Sequence, residues 1–216
     1  MTGVHPFFDV AGPIGFAHRG GASRHPENTE KAFRHAVTLG FTHLETDVHV
    51  TRDGVAIAFH DHSLDRVTDR SGTIAELPWS EVRRARVAGT ETILRLEELF
   101  EAFPTTRINL DPKHDAAVEP LATTIRRTGA VDRVMVGAFS DRRIDRVRRL
   151  VGERLAVSAG PRRMAALYAR SRRAPVRVRG VHAAQIPVRY GRVTLVTPSL
   201  VAEAHALGLH VHVWTI

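Results

Sequence analysis

The 216-residue sequence contains no cysteine, which excludes disulfide bonds, iron–sulfur clusters and thiolate catalysis. It also lacks any run of about 18 apolar residues, the length that a membrane-spanning helix needs. The first 16 residues contain neither a basic region nor a long apolar core, so no secretory signal is expected. These absences predict a cytoplasmic protein without stable membrane insertion.

Lysine is almost absent as well. Lys31 and Lys113 are the two lysines, and the other 29 of the 31 basic residues are arginine. The formal charge of +8 would suit an anionic partner such as nucleic acid, a phosphorylated substrate or a lipid surface. The arginines are scattered rather than set in one stripe, as a GC-rich genome also produces, so no nucleic-acid partner is expected.

Short β-type runs alternate with helix-type runs along the chain. The β-type runs are at 14–18, 43–51, 106–111, 133–139, 154–159, 178–186 and 209–216, and the helix-type runs at 27–40, 116–129, 141–152, 162–173 and 198–208. This alternation predicts one α/β domain with a parallel sheet surrounded by helices. The seven strands favour either a (β/α)₈ barrel short of its last strand or a doubly wound open sheet. No Gly-x-Gly-x-x-Gly turn follows the first strand, which disfavours a dinucleotide-binding fold.

The second predicted strand carries two carboxylates on one face. Glu45 and Asp47 are two residues apart, so their side chains point the same way in a strand. Such an oxygen-rich pair is typical of a site for a hard divalent cation, Mg²⁺ or Ca²⁺. A solvated face of an edge strand is the alternative.

A hairpin is expected to return a histidine to these carboxylates. The pair Asp53-Gly54 is a strong signal for a two-residue hairpin turn, which would place His60 opposite Asp47. A turn longer by one residue would place Thr46 opposite His60 instead.

Other ionisable residues lie at predicted strand ends. His18 and Arg19 close the first strand, and Asp111 and Lys113 close the third. Glu27 is expected, with its neighbour, to cap the first helix. Together with the carboxylate strand and His60, these residues suit metal-assisted phosphoryl transfer, in which one histidine takes a proton and the other protonates the leaving alcohol.

Four stretches of this sequence resemble the glycerophosphodiester phosphodiesterase family. They are AHRGGA, PENTEKAF, the long block LETDVHVTRDGVAIAFHDHSLDRVTDRSG, and GLHVHVWTI near the end. The resemblance implies a (β/α)₈ TIM barrel that hydrolyses a small-molecule glycerophosphodiester to glycerol 3-phosphate and an alcohol, with a divalent cation. The family continues beyond the WTI match, so residues 1–216 are expected to form one barrel domain lacking the final strand and helix. A small capping insertion is expected at about 62–92.

The resemblance also implies roles for individual residues. His18 and His60 would be the acid/base pair. The implied metal ligands are Glu45, Asp47 and Asp111, the last standing where the family usually has glutamate; the implied substrate-binding residues are Arg19, Lys113 and Trp214. Gln185, at a predicted strand end, is a further candidate for contacting substrate.

Two alternatives stay open at this point. A phospholipase C- or D-like enzyme would use the same histidines and cation to form a cyclic phosphate. An inactive, truncated barrel could instead serve as a binding protein.

Overall fold

Runs of β-branched and other apolar residues form seven parallel strands in the computed structural model, which describes residues 5–215. The strands are β1 Phe16–Ala17, β2 His43–Val50, β3 Arg107–Pro112, β4 Val134–Val136, β5 Ala156–Val157, β6 Ala183–Pro187 and β7 His210–Trp214. The helices are α1 Glu30–Thr38, α2 Trp79–Val82, α3 Leu96–Ala102, α4 Val118–Arg127, α5 Asp141–Val151, α6 Pro161–Ser171 and α7 Pro198–Ala206. The prediction of an α/β fold with parallel strands is confirmed.

The strands lie in chain order, as in a barrel. β1 to β5 form one sheet of neighbouring parallel strands, and β6 pairs with β7. A parallel bridge between Ser158 and Ala183 connects β5 to β6. The rings of Phe16 on β1 and His212 on β7 have centroids 4.7 Å apart. The strands are therefore curved so far that side chains of the first and the seventh strand meet in the interior.

Alternate residues of the strands face the surrounding helices. Leu44, Ile108 and Val134 are fully buried on the helix-facing side. They belong to one core cluster with helix residues such as Leu121 and Ile144. Burying each such side chain stabilises the fold by roughly 1.5–3 kcal/mol. The intervening residues point inward, and these include the carboxylates of β2.

A short segment that the sequence pattern does not predict closes the barrel at the amino-terminal ends of its strands, here called the barrel floor. Residues Pro6–Phe8 form a 3₁₀ turn, and Phe7 and Phe8 pack against Met135 in the interior. The Nε2–H of the buried His43 donates to the carbonyl of Phe7 at 2.8 Å. This bond holds the segment against the amino-terminal end of β2.

Several predicted boundaries change. Helices α2 and α3 were not predicted, and the sixth strand begins at Ala183 rather than at residue 178. The last strand ends at Trp214, and Ile216 lies outside the described residues. Within residues 5–215, no helix has the length and apolar character needed to cross a membrane.

The hairpin after β2 has a longer turn than predicted. Strand Ala56–Ala58 runs antiparallel to β2 with Val48 opposite Ala58, one residue away from the register of a two-residue turn. Gly54 has a φ of +83°, the left-handed conformation that closes a three-residue hairpin loop. The prediction that Asp47 lies opposite His60 is therefore wrong, and the register is the one expected for the longer turn.

The segment between this hairpin and α3 has its own small core. It contains α2 and a short hairpin of Arg86–Val87 with Glu91–Thr92. The buried residues of this core are Ile57, Phe59, Leu64, Ile74, Val82, Ala85, Val87 and Ile93. The segment is thus a packed unit on the barrel, covering the range where the capping insertion was expected.

Acid should weaken the closure of the barrel floor. Burial lowers the pKa of His43 to about 4, so between pH 6.5 and 4 the unfolded chain takes up a proton that the folded chain does not. Stability should therefore fall as pH drops through this window, by at most about 1.4 kcal/mol per pH unit from this group. In His43→Gln, urea unfolding at several pH values should show a shallower dependence than in wild type. The exposed His205 in α7 supplies the control variant His205→Gln; equal slopes in the two variants would contradict the assignment.

Candidate active site

The carboxyl ends of β1, β2 and β3 bring the predicted ionisable residues together. Parallel pairing places Glu45 beside Asn109 and Asp47 beside Asp111, with all four on inward-facing positions. Because the strands are in register, a carboxylate from each of two neighbouring strands occupies the same level. Glu45, Asp47 and Asp111 therefore lie near one another on the inward face of neighbouring strands, and their role as metal ligands stays a prediction.

A tight turn after β1 positions His18 and Arg19. Arg19 adopts a φ of +51°, and Gly20 follows at +82°. A Cβ at Gly20 would lie 2.8 Å from the ring of Phe33 on α1, so this glycine lets the turn pack against the helix. The turn points the backbone N–H of Arg19 at Glu45 Oε2, 3.0 Å away, while His18 Nε2 lies 3.9 Å from the same oxygen.

Lys113 lies between two of the carboxylates. Its Nζ is 2.6 Å from Asp47 Oδ1 and 2.7 Å from Asp111 Oδ2. The second oxygen of Asp47 is buried without a hydrogen bond and lies 3.4 Å from Arg19 Nε. In this arrangement both cations predicted to bind phosphate neutralise carboxylates.

The electrostatics of the cluster show an excess of negative charge. Burial, followed by the nearby Asp47 carboxylate, raises the pKa of Glu45 to about 8. Burial also raises the pKa of Asp111, against the opposing effect of Lys113. Burial alone would lower the pKa of Lys113, but Asp111 and Asp47 outweigh it and raise this pKa. Three carboxylates thus face two cations, and a proton on Glu45 can balance the remaining charge.

His60 reaches the site although the hairpin register differs from the predicted one. After Ala58, the backbone N–H of Phe59 still donates to the carbonyl of Asp47 at 3.0 Å, which holds the adjacent His60 beside β2. The His60 Nδ1–H donates to Asp61 Oδ1 at 2.6 Å. This bond leaves Nε2 as the ring nitrogen available for proton transfer.

Trp214 lies at the carboxyl end of β7, whereas Gln185 lies in the middle of β6, opposite His212, rather than at the predicted strand end. A Cβ on Gly137, which follows β4, would be 2.4 Å from Gln185 Oε1, so the amide fills the space above that glycine. Trp214 is 41% exposed, and the centroids of its ring and the Phe139 ring lie 5.8 Å apart in a T-shaped arrangement. Among residues 5–215, neither side chain makes a hydrogen bond or ion pair to the carboxylate cluster, and their substrate contacts stay predictions.

Two residues near the histidines have roles that the sequence pattern did not indicate. Thr29, not Glu27, caps α1 by accepting from the backbone N–H of Ala32. Glu27 instead accepts a hydrogen bond from Arg19 at 3.1 Å. The ring of His49 donates to the backbone carbonyl of His60 at 3.0 Å and so fixes the start of the segment after the hairpin.

The chemistry of the ligand atoms in this cluster suits a hard divalent cation, but their present arrangement does not. Carboxylate oxygens are the ligands that Mg²⁺ and Ca²⁺ prefer, and Asp47 Oδ2 has no hydrogen-bond partner. In the described part of the chain, however, no three acidic or imidazole groups converge closely enough to hold an ion. The Lys113 ammonium takes the position between Asp47 and Asp111, and a cation would have to compete with it for the same oxygens.

Comparison with known proteins assigns the family. The model of the glycerophosphoryl diester phosphodiesterase family matches residues 18–216. A Mycobacterium tuberculosis protein named "Probable glycerophosphodiester phosphodiesterase 2" is 42% identical, over 97% of this chain and 82% of its own length.

Two solved structures share the fold. The glycerophosphodiester phosphodiesterase of Agrobacterium tumefaciens superposes with a TM-score of 0.76 at 21% identity, covering 92% of this chain and 84% of that one. An Oleispira antarctica phosphodiesterase, in complex with its product sn-glycerol-3-phosphate, gives 0.77 at 22% identity, covering 94% and 85%. The family model and the Mycobacterium relative both span nearly the whole chain, so this protein belongs to the glycerophosphoryl diester phosphodiesterase family of enzymes.

Proposed function

We propose that this protein hydrolyses glycerophosphodiesters to glycerol 3-phosphate and an alcohol, using two histidines and a divalent cation, Mg²⁺ or Ca²⁺. The observation that carries the proposal is that His18, at the end of β1, and His60, after the hairpin that follows β2, lie beside the carboxylate cluster. The product complex of the Oleispira antarctica phosphodiesterase supports glycerol 3-phosphate as the product here.

His18 is suited to act as the general base. Burial and the adjacent Arg19 lower its pKa, which favours the neutral imidazole at neutral pH. A neutral Nε2 can take a proton from water as the water oxygen bonds to phosphorus. The side chain is 46% exposed, so water reaches it.

His60 is suited to act as the general acid. The carboxylate of Asp61 accepts from Nδ1–H at 2.6 Å and so orients the ring with Nε2 free. The Nε2 proton then passes to the leaving alcohol oxygen as its bond to phosphorus breaks, which balances the proton that His18 removed.

Arg19 and Lys113 would bind the phosphate oxygens, and Glu45, Asp47 and Asp111 would hold the cation. The three carboxylates outnumber the two cations facing them, which supports a requirement for further positive charge. When bound, a divalent cation would offset charge on the phosphate. Because it would compete with the Lys113 ammonium for Asp47 and Asp111, its binding would free that ammonium for the substrate.

Metal binding should be visible as added stability. At about 100 times its dissociation constant, Mg²⁺ or Ca²⁺ should stabilise the folded protein by about 2.7 kcal/mol, or several degrees in Tm. Glu45→Gln and Asp47→Asn should abolish this shift, while Glu153→Gln, which alters a carboxylate that is 88% exposed, should keep it. A thermal shift of equal size in all these proteins would contradict the proposed ligands.

The histidine roles separate with two substrates. His18→Ala and His60→Ala should each lower kcat for glycerophosphocholine by about 10²–10⁴-fold. The leaving group of a p-nitrophenyl ester of glycerol 3-phosphate needs no proton. With this substrate, the kcat of His60→Ala should return close to that of wild type, whereas the kcat of His18→Ala should stay low. His62→Ala, at an exposed histidine nearby, is the control. Wild-type turnover of glycerophosphocholine by His60→Ala would refute its role.

The attacking group can be identified from the product. If water attacks directly, hydrolysis in ¹⁸O-labelled water should give labelled glycerol 3-phosphate from the first turnover, and a diester of 1,3-propanediol, which lacks the neighbouring hydroxyl, should also be cleaved. Mass spectrometry and phosphorus NMR provide the readout. Early accumulation of an unlabelled cyclic phosphate would instead support the phospholipase-like route.

A further inference from the structure

One arginine outside the proposed machinery connects two of its parts. Arg66 lies in the segment between the β2 hairpin and α3, and its guanidinium contacts two carboxylates at once. Arg66 Nε and Nη2 donate to the two oxygens of Asp61 at 2.5 and 3.0 Å. Nη2 and Nη1 donate to the two oxygens of Glu27 at 2.7 and 3.0 Å. Glu27 belongs to the loop after β1 and is 39 residues away in sequence.

Each of these carboxylates continues into the site. Asp61 accepts the Nδ1–H of His60 at 2.6 Å. Glu27 accepts from the guanidinium of Arg19 at 3.1 Å, on the same oxygen that Arg66 contacts. A continuous path of charge-assisted hydrogen bonds therefore runs from the proposed acid to the proposed phosphate ligand, with Arg66 at its centre.

Both carboxylates are held in their acceptor form. Hydrogen bonding from Arg66 is the largest influence on the pKa of Asp61 and holds it well below its usual value. Burial alone would raise the pKa of Glu27, but Arg66 and Arg19 outweigh it and lower this pKa. An ionised carboxylate offers only acceptor oxygens, so each one orients the donor facing it.

We propose that Arg66 is a positioning residue for the reaction: by bridging Asp61 and Glu27, it fixes the ring of His60 relative to the guanidinium of Arg19. This inference rests on the proposed function, in which those two groups serve the same phosphate. A planar guanidinium satisfies two carboxylates bidentately, which a single ammonium cannot do. Because the Arg66 side chain is 49% exposed, its ion pairs should add little to global stability.

The test is the variant Arg66→Ala, assayed with glycerophosphocholine. Supporting groups of this kind typically contribute 10–100-fold, so kcat should fall by about that factor with Tm unchanged and a smaller change in KM. Millimolar guanidinium chloride should restore part of kcat, and Arg66→Lys should restore less than the full rate. Arg70→Ala removes the same charge from an exposed position of the same segment and should behave as wild type.

A double variant adds a second criterion. If Arg66 acts through Asp61, Arg66→Ala combined with Asp61→Asn should lose no more kcat than the more impaired single variant. Fully multiplicative losses would overturn the proposal. So would a loss of kcat accompanied by a lower Tm and no rescue by guanidinium, because that pattern reports a purely structural role.

The two proposals fail in distinguishable ways. If His60→Ala is inactive while Arg66→Ala keeps kcat within twofold of wild type, the positioning role is wrong and the proposed function stands. If His60→Ala itself turns over normally, the proposed function is wrong, whatever Arg66→Ala does.

Discussion

The site depends on confining three carboxylates to a small volume that two cations only partly neutralise. Lys113 bridges Asp47 and Asp111, and Arg19 lies beside the buried second oxygen of Asp47. Burial, followed by the nearby charge of Asp47, raises the pKa of Glu45 to about 8. Like charges are costly to bury together, and this cost supports the proposal of a divalent cation as a further ligand. The fold supplies the rigidity that keeps the carboxylates from moving apart.

That rigidity comes from the regular register of neighbouring strands. Pairing of β2 with β3 runs over six residue pairs, and the level of Asp47 and Asp111 follows directly from it. The histidines, in contrast, lie on turns outside the ladder. Strand residues therefore supply the fixed charges. The turns that carry the two histidines are held by other hydrogen bonds: the Arg19 N–H donates to Glu45, the His60 ring donates to Asp61, and the His49 ring donates to the His60 carbonyl.

The sequence pattern predicted those features that depend on residues close together in the chain. Alternation placed Glu45 and Asp47 on one face, and helix and strand order predicted the parallel α/β fold. The hairpin register was missed by one residue because Asp53-Gly54 fits both two- and three-residue loops. The contacts of the segment around Phe7 and the contact of Arg66 with Glu27 were not predicted, since they join residues more than 30 positions apart and leave no periodic signal. The roles of individual residues came from the family resemblance rather than from spacing.

The scarcity of lysine has a practical consequence for chemical footprinting. Reagents that acylate side-chain amines meet two targets in the whole chain, Lys31 and Lys113. Lys31 is 57% exposed, whereas Lys113 is 24% exposed and holds its proton through Asp47 and Asp111. The amine inside the site is therefore intrinsically the slower to react, and any ligand that draws it away from its carboxylates changes that reactivity. One peptide in a mass spectrum would then report occupancy of the site, with Lys31 as its internal standard.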